Sequence, residues 1–236
     1  IKLKIIHTYG VVKQAEELAG RMHLSPEDTD LARLIALLHD IGRFEQLKRY
    51  DSFEPGTMDH AAYGVKVLFD EGMIRRFLPE DKWDSIIYTA IAHHSDYELP
   101  EISDPQTLLH AKLIRDEDKL DNCRVKLVDS TSTFINVSEE ELGTQNITQK
   151  VYETVFKNKC ILSADRVTQM DYWVSYIVYF FDINFKESFD IIAENDYLNR
   201  IIDRISYSNP VTKEQMEEIR VYMQNFINSH TGNQSF

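Results

Sequence analysis

Cysteine is nearly missing from this chain. Cys123 and Cys160 are the whole complement in 236 residues, which rules out a disulfide framework and a paired-cysteine metal site and leaves two ordinary thiols in a reducing, cytoplasmic compartment as the expectation. Basic charge is also short. Lys and Arg total 26 against 39 Asp and Glu, a formal net charge of -13. Proteins that bind nucleic-acid duplexes or anionic membrane surfaces present a basic footprint, so both partner classes are disfavoured, and any anionic substrate must be attracted locally. No apolar run reaches the roughly 18 to 20 residues needed to cross a bilayer. The longest, residues 172–181, reads as a buried helix. The chain opens on Ile1 with no leader pattern, and whether residues precede it in the native chain stays open.

Glycine and proline are scarce, and period-two alternation is hard to find. Apolar residues instead recur at spacings of three and four, which predicts an all-α fold. A first helix over about 2–20 carries Ile5, Val12, Ala15, Leu18 and Ala19 on one side. The second opens on "SPED", with Ser25 as N-cap, Pro26 at the first helical position and Asp28 completing a capping box. It is expected to end near Gly42 as a left-handed C-terminal residue, which puts His39 and Asp40 in its last turn. A polar stretch over 45–56 leads to a third helix from near Thr57 to Gly72. A fourth runs from about Glu80 to His94, and a fifth follows Pro105. Further helices are expected from Ser138, near Ser163, near Phe185 and from Thr212. The organisation read from this pattern is a histidine-bearing bundle over 1–128 and a helical appendage over 129–236 packed on it, covering it, walling a cleft or forming a homodimer contact.

The stretch "LIALLHDIGRFEQ", residues 34–46, ends an apolar helix on a histidine and an aspartate side by side. Burying both is costly unless something pairs with both. A single helical histidine is usually a core or surface residue, and His23, His110 and His230 read that way. The joint pattern of the others is different: His7 on helix one, His39 and Asp40 closing helix two, His60 opening helix three, His93 and His94 closing helix four, and Asp118 in helix five. Bundles build metal sites from ligands supplied one or two at a time by facing helices. Neighbours on a helix point about 100° apart. At a helix end the turn loosens and carbonyls are free, so adjacent residues can converge there. Alternatively, one member of each pair binds and the other caps a carbonyl. Gly64, one turn after His60, reads as a close helix crossing.

This order of ligands, with "LARLIALLHDIGR" and "RDEDKLD", resembles the HD domain superfamily of metal-dependent phosphohydrolases over roughly residues 1–125. His60 and the His93-His94 pair resemble its binuclear subset, as in HD-GYP and cyclic di-AMP phosphodiesterase catalytic domains. The resemblance implies one ion held by His7, His39, Asp40 and Asp118, and a second by bridging Asp40 with His60, His93 and His94. Asp118 is taken over Asp116, Glu117 and Asp121 because "DKLD" matches the family ending. Arg43, in "HDIGR", takes the slot where the family often faces the substrate phosphate with a basic residue. "HHSDYELPE" lacks the Gly-Tyr-Pro signature, so cyclic di-GMP specificity is not implied.

Such a ligand set suits manganese, iron, nickel or zinc better than calcium or magnesium. Two such ions bridged by Asp40 would supply hydroxide at neutral pH to attack a phosphomonoester or phosphodiester of a nucleotide or similar small anion. Asp40 and Arg43 are then the catalytic residues, with Arg43, Lys112 and Arg115 contacting substrate. Two other readings stay open: a di-iron oxygenase of the same superfamily, which typically has one histidine where this chain has the pair, and a non-catalytic ligand-binding module.

Overall fold

The computed structural model describes residues 2–51 and 58–231, and among these there are helices and no strand. Two compact units divide the chain, Ile1–Asp121 and Asn122–Phe236.

In the first unit, α1 (Lys2–Arg21) packs against α2 (Pro26–Leu38). The buried stripe of α1 is His7, Val11, Ala15, Leu18 and Ala19, at helical spacing. Ile5, expected on that face, is 43% exposed. It stands two residues, about 200°, from inward-facing His7, so both cannot be buried on one side. Ser25 caps α2 by accepting from the Asp28 N–H at 3.0 Å, with Pro26 at the first position. The expectation for Gly42 fails. α2 ends at Leu38, and α3 (Ile41–Tyr50) begins at once, where a polar stretch had been expected from residue 45. Gly42 lies inside α3. A Cβ there would overlap the His60 carbonyl and come within 2.8 Å of the Gly64 nitrogen, so glycine serves a helix crossing rather than a left-handed turn. Gly64 faces the same crossing: its Cβ would meet Ile41 Cγ2 at 3.4 Å.

α4 (His60–Val65) is capped by Asp59, which accepts from the Ala62 N–H at 2.9 Å. The expected start near Thr57 lies outside the described residues. The helix widens into a π turn over Lys66–Asp70, and the chain turns at Gly72, at φ 74°. α5 (Asp84–His93) packs against α2 and α4, and α6 (Pro105–Val128) carries the acidic run 116–118.

The second unit contains α7 (Thr131–Phe134), α8 (Glu139–Thr144), α9 (Gln149–Val155), α10 (Gln169–Ile177), α11 (Lys186–Glu194), α12 (Tyr197–Asp203) and α13 (Pro210–His230). Its core includes Trp173, Ile177, Phe180, Ile201, Met216 and Met223. Residues 172–181 form most of α10 and a 3-10 turn. No helix among the described residues is long and apolar enough to cross a membrane. Ser138 caps α8 as expected, accepting from the Glu141 N–H at 3.1 Å. Two starts differ. Near Ser163 there is one 3-10 turn, and the helix begins later behind a Thr168–Asp171 capping box. α13 is capped by Asn209 rather than Thr212, because Thr212 is buried and donates to the Gln145 carbonyl at 2.8 Å.

Candidate metal centre

Three imidazoles in the first unit present the same nitrogen. His39 Nδ1 donates to the Ala36 carbonyl and His94 Nδ1 to the Ile91 carbonyl, each at 2.7 Å and each within the last turn of its own helix. His7 Nδ1 lies 2.7 Å from Asp121 Oδ2. Carbonyls and carboxylates only accept, so Nδ1 carries a proton in all three, which leaves Nε2 as the nitrogen each ring turns inward. Those Nε2 atoms converge. His7 Nε2 is 2.9 Å from Asp118 Oδ1, and His39 Nε2 is 3.9 Å from the same oxygen and 3.7 Å from Asp40 Oδ2. On the other side of Asp40, Oδ1 is 3.4 Å from His60 Nε2 and 3.9 Å from His94 Nε2. The rings touch in succession, with centroids 5.8 Å apart for His7 and His39, 5.2 Å for His39 and His94, and 5.0 Å for His60 and His94.

Among the described residues, two overlapping sets bring their candidate ligand atoms within 4.8 Å of one another: His7, His39 and Asp118, and His39, Asp40 and His94. The donors fit a cation. His39 Nε2 is buried without a hydrogen-bond partner. The Nε2 atoms of His60 and His94 face each other at 3.1 Å, where two lone pairs would repel without a proton or metal ion to satisfy them. A sequence profile described as HD domain matches residues 5–123. The chain belongs to the HD domain family. No curated protein and no solved structure gives a significant match. HD domains bind divalent metal ions and are commonly metal-dependent hydrolases, so phosphohydrolase-type chemistry is the superfamily-level expectation for this chain.

Electrostatics in this HD domain sorts the candidate ligands. Burial, reinforced by neighbouring positive groups, lowers His60 to about 2 and His94 to about 4, so both are neutral and able to donate at neutral pH. Burial works against the charged form of Asp40, yet Lys4, His39, Arg43 and His60 hold it well below the usual carboxylate range. The nearest of these, Lys4 Nζ, is 2.8 Å from Asp40 Oδ2. For His7, burial is outweighed by hydrogen bonds to Asp118 and Asp121, and its pKa rises to about 9. Asp118 is held low by His7 despite its burial. Glu117 goes the other way, raised well above its usual value by burial and by its neighbours Asp116 and Asp118.

The HD domain brings together His7, His39, Asp40, His60, His94 and Asp118, and it does not bring in His93. That ring is partly exposed and turned away, with Nδ1 2.7 Å from Asp96 Oδ2, whereas His60, although outside both sets, has Nε2 3.4 Å from Asp40 Oδ1. The 100° step between neighbours persists here because α5 stays regular through His93. Arg115, expected to meet substrate, is 2% exposed, and its Nη1 donates to the carbonyls of His93 at 2.9 Å and Asp96 at 2.8 Å. It thus holds the end of α5 that carries His94. Lys112, partly buried, is six residues before Asp118 and so about 120° round α6 from it. Arg43 lies beside Asp40, with Nε 3.5 Å from Oδ1 and Nη1 donating to buried Gln46 at 2.9 Å. Lys4 was missed, and Asp121, weighed as a ligand and set aside for Asp118, was not given its contact with His7. The available signal was spacing: each is three residues from a ligand on the same helix, on nearly the same face.

Proposed function

We propose that this HD domain is a phosphohydrolase with two ion positions sharing Asp40, acting on a phosphomonoester or phosphodiester of a nucleotide or similar small anion. One position is made by His7, His39, Asp40 and Asp118, the other by Asp40, His60 and His94. The observation that carries this reading is the placing of Asp40 between two groups of histidines, with one oxygen toward His39 and the other toward His60 and His94. Manganese, iron, nickel or zinc ions bound there would act as Lewis acids on a phosphoryl oxygen and activate water at neutral pH. The protein's own residues supply the rest. Asp40 stays ionised because cationic side chains surround it, and the lowered His60 and His94 stay neutral. Lys4 and Arg43 are the cations beside Asp40, and they offer hydrogen bonds to an anion within an acidic protein. Gln46 orients the Arg43 guanidinium for that contact.

The test is phosphate release from a panel of nucleotides by protein stripped of metal and reloaded with one ion at a time. Activity is expected with at least one of the four. Arg43→Ala should then lower kcat/KM by roughly 10- to 100-fold, the worth of a charge-assisted hydrogen bond of about 1.5–3 kcal/mol. Oxygen uptake by the iron form without phosphate release overturns this reading in favour of an oxygenase. Failure to bind any ion favours a non-catalytic module.

A further inference from the structure

Asp121 is fully buried, yet it lies outside both sets of converging ligand atoms. Asp118 already occupies the Nε2 side of His7, at 2.9 Å and within reach of His39. Asp121 lies on the opposite edge of the ring, with Oδ2 2.7 Å from Nδ1. The two carboxylates stand three residues apart on α6, so one helix face grips the two nitrogens of one imidazole.

Room for this grip comes from α1. Gly10 is one turn after His7 in the same helix, and a Cβ there would overlap Asp121 Oδ1 and come within 2.8 Å of Oδ2. Gly10 is not used for its backbone freedom, because its φ is not in the left-handed region. A mid-helix glycine weakens its helix relative to alanine. The space it leaves is filled by the Asp121 carboxylate.

The geometry points to Asp121 as the positioning residue for the first ion position, with Gly10 as the gap that admits it. Asp121 accepts the Nδ1 proton of His7 and holds the ring's rotation, so that Nε2, which faces Asp118 and the His39 side, is the nitrogen that can give up its proton to an ion. His39 and His94 obtain the same restraint from carbonyls of their own helices. The difference follows from position. His39 and His94 stand at the last turn of a helix, where carbonyls are free. His7 is inside α1, where they are engaged, so its restraint has to come from another helix. A carboxylate in this role also makes the imidazole a stronger donor than a carbonyl does, and losing such a partner typically lowers metal affinity by about 10- to 100-fold.

This inference rests on His7 being an ion ligand, as proposed above, so the readouts are zinc binding and ring protonation rather than turnover. With zinc bound, nitrogen NMR of His7 is expected to show a protonated Nδ1 and a zinc-shifted Nε2; the reverse assignment would overturn the proposal. Asp121→Ala should weaken zinc at the first position by about 10- to 100-fold while leaving the His60–His94 position within about twofold. Asp121→Asn, which keeps an acceptor and loses the charge, should fall between wild type and Asp121→Ala. Gly10→Ala should act in the same direction. Combined with Asp121→Ala it should add little, because both changes break one contact. Wild-type affinity in Asp121→Ala, or fully additive losses in the double variant, sinks the idea. If Asp121→Ala does not fold, the wild-type nitrogen spectrum and Asp121→Asn decide. Zinc uptake without phosphate release overturns the phosphohydrolase reading alone, and absence of zinc uptake overturns both.

Discussion

Asp171 in the second unit and Asp40 in the first are both buried carboxylates with several partners, and the partners differ in kind. Asp171 accepts from three backbone N–H groups, of Thr148 at 2.8 Å, Val167 at 2.9 Å and Thr168 at 3.1 Å. These neutral dipoles belong to a helix start and a neighbouring turn, and they complete the carboxylate within the fold. Asp40 makes no capping hydrogen bond with its side chain at the start of α3. Around it stand a flexible lysine, an arginine and three imidazoles, whose Nε2 atoms need a cation more than they need each other. A buried charge satisfied by backbone is structural, whereas one satisfied by side chains that can exchange partners leaves room for ligand and ion.

The sharpest way to break this comparison is to truncate both carboxylates. Asp40→Ala should abolish binding of both ions and all activity, read by metal analysis of the purified protein, because both positions share that residue. His94→Ala should remove one ion and leave the other, and equal metal loss in the two variants would contradict the shared-ligand arrangement. Asp171→Ala should do the opposite of Asp40→Ala. Leaving three N–H groups short of an acceptor is expected to cost about 2–4 kcal/mol in denaturant unfolding, with metal content unchanged.

A smaller effect is expected from pH on the metal-free chain. His7 is raised from 6.5 to about 9, so its contribution to stability is complete below 6.5 and lost as pH rises through about 9. His60 and His94, lowered from 6.5 to about 2 and about 4, contribute above 6.5, and that contribution is lost as pH falls toward about 4. Among these three groups stability therefore peaks near 6.5 and declines on either side by up to about 1.4 kcal/mol per pH unit per proton. Thermal melts in chelator across pH should show this, and His7→Gln should flatten the alkaline side. The smallest effect is expected from His93→Ala. With its Nδ1 turned to Asp96, this residue should change ion affinity by no more than about twofold, the scale of an ordinary surface substitution of about 0.5 kcal/mol.

The helices and the ligand types could be read from the residues because both are local. Ala15, Leu18 and Ala19 announce a buried stripe by spacing alone, although Val11 rather than the expected Val12 completes it. The order of His7, His39-Asp40 and Asp118, with His60 and the His93-His94 pair between, indicates an HD domain without any distance. Gly42 misled because a glycine after an apolar helix is ordinarily a stop, and only the crossing of α3 and α4 shows that the space beside it is filled by the His60 carbonyl. His93 misled because a dipeptide does not say which member faces inward. That is decided by the rotation of α5, whose end Arg115 holds from α6.

The contacts of Lys4 and Asp121 were illegible for a related reason. Their partners lie 36 and 114 residues away, and periodicity along one helix does not tell which side chains of another helix it will meet. The sequence by itself determined the α-helical class and the stock of nitrogen and oxygen donors, since hydrogen bonding and apolar spacing act over a few residues. Only the tertiary structure decided which donors converge, because convergence depends on where helices cross and how each is rotated about its axis.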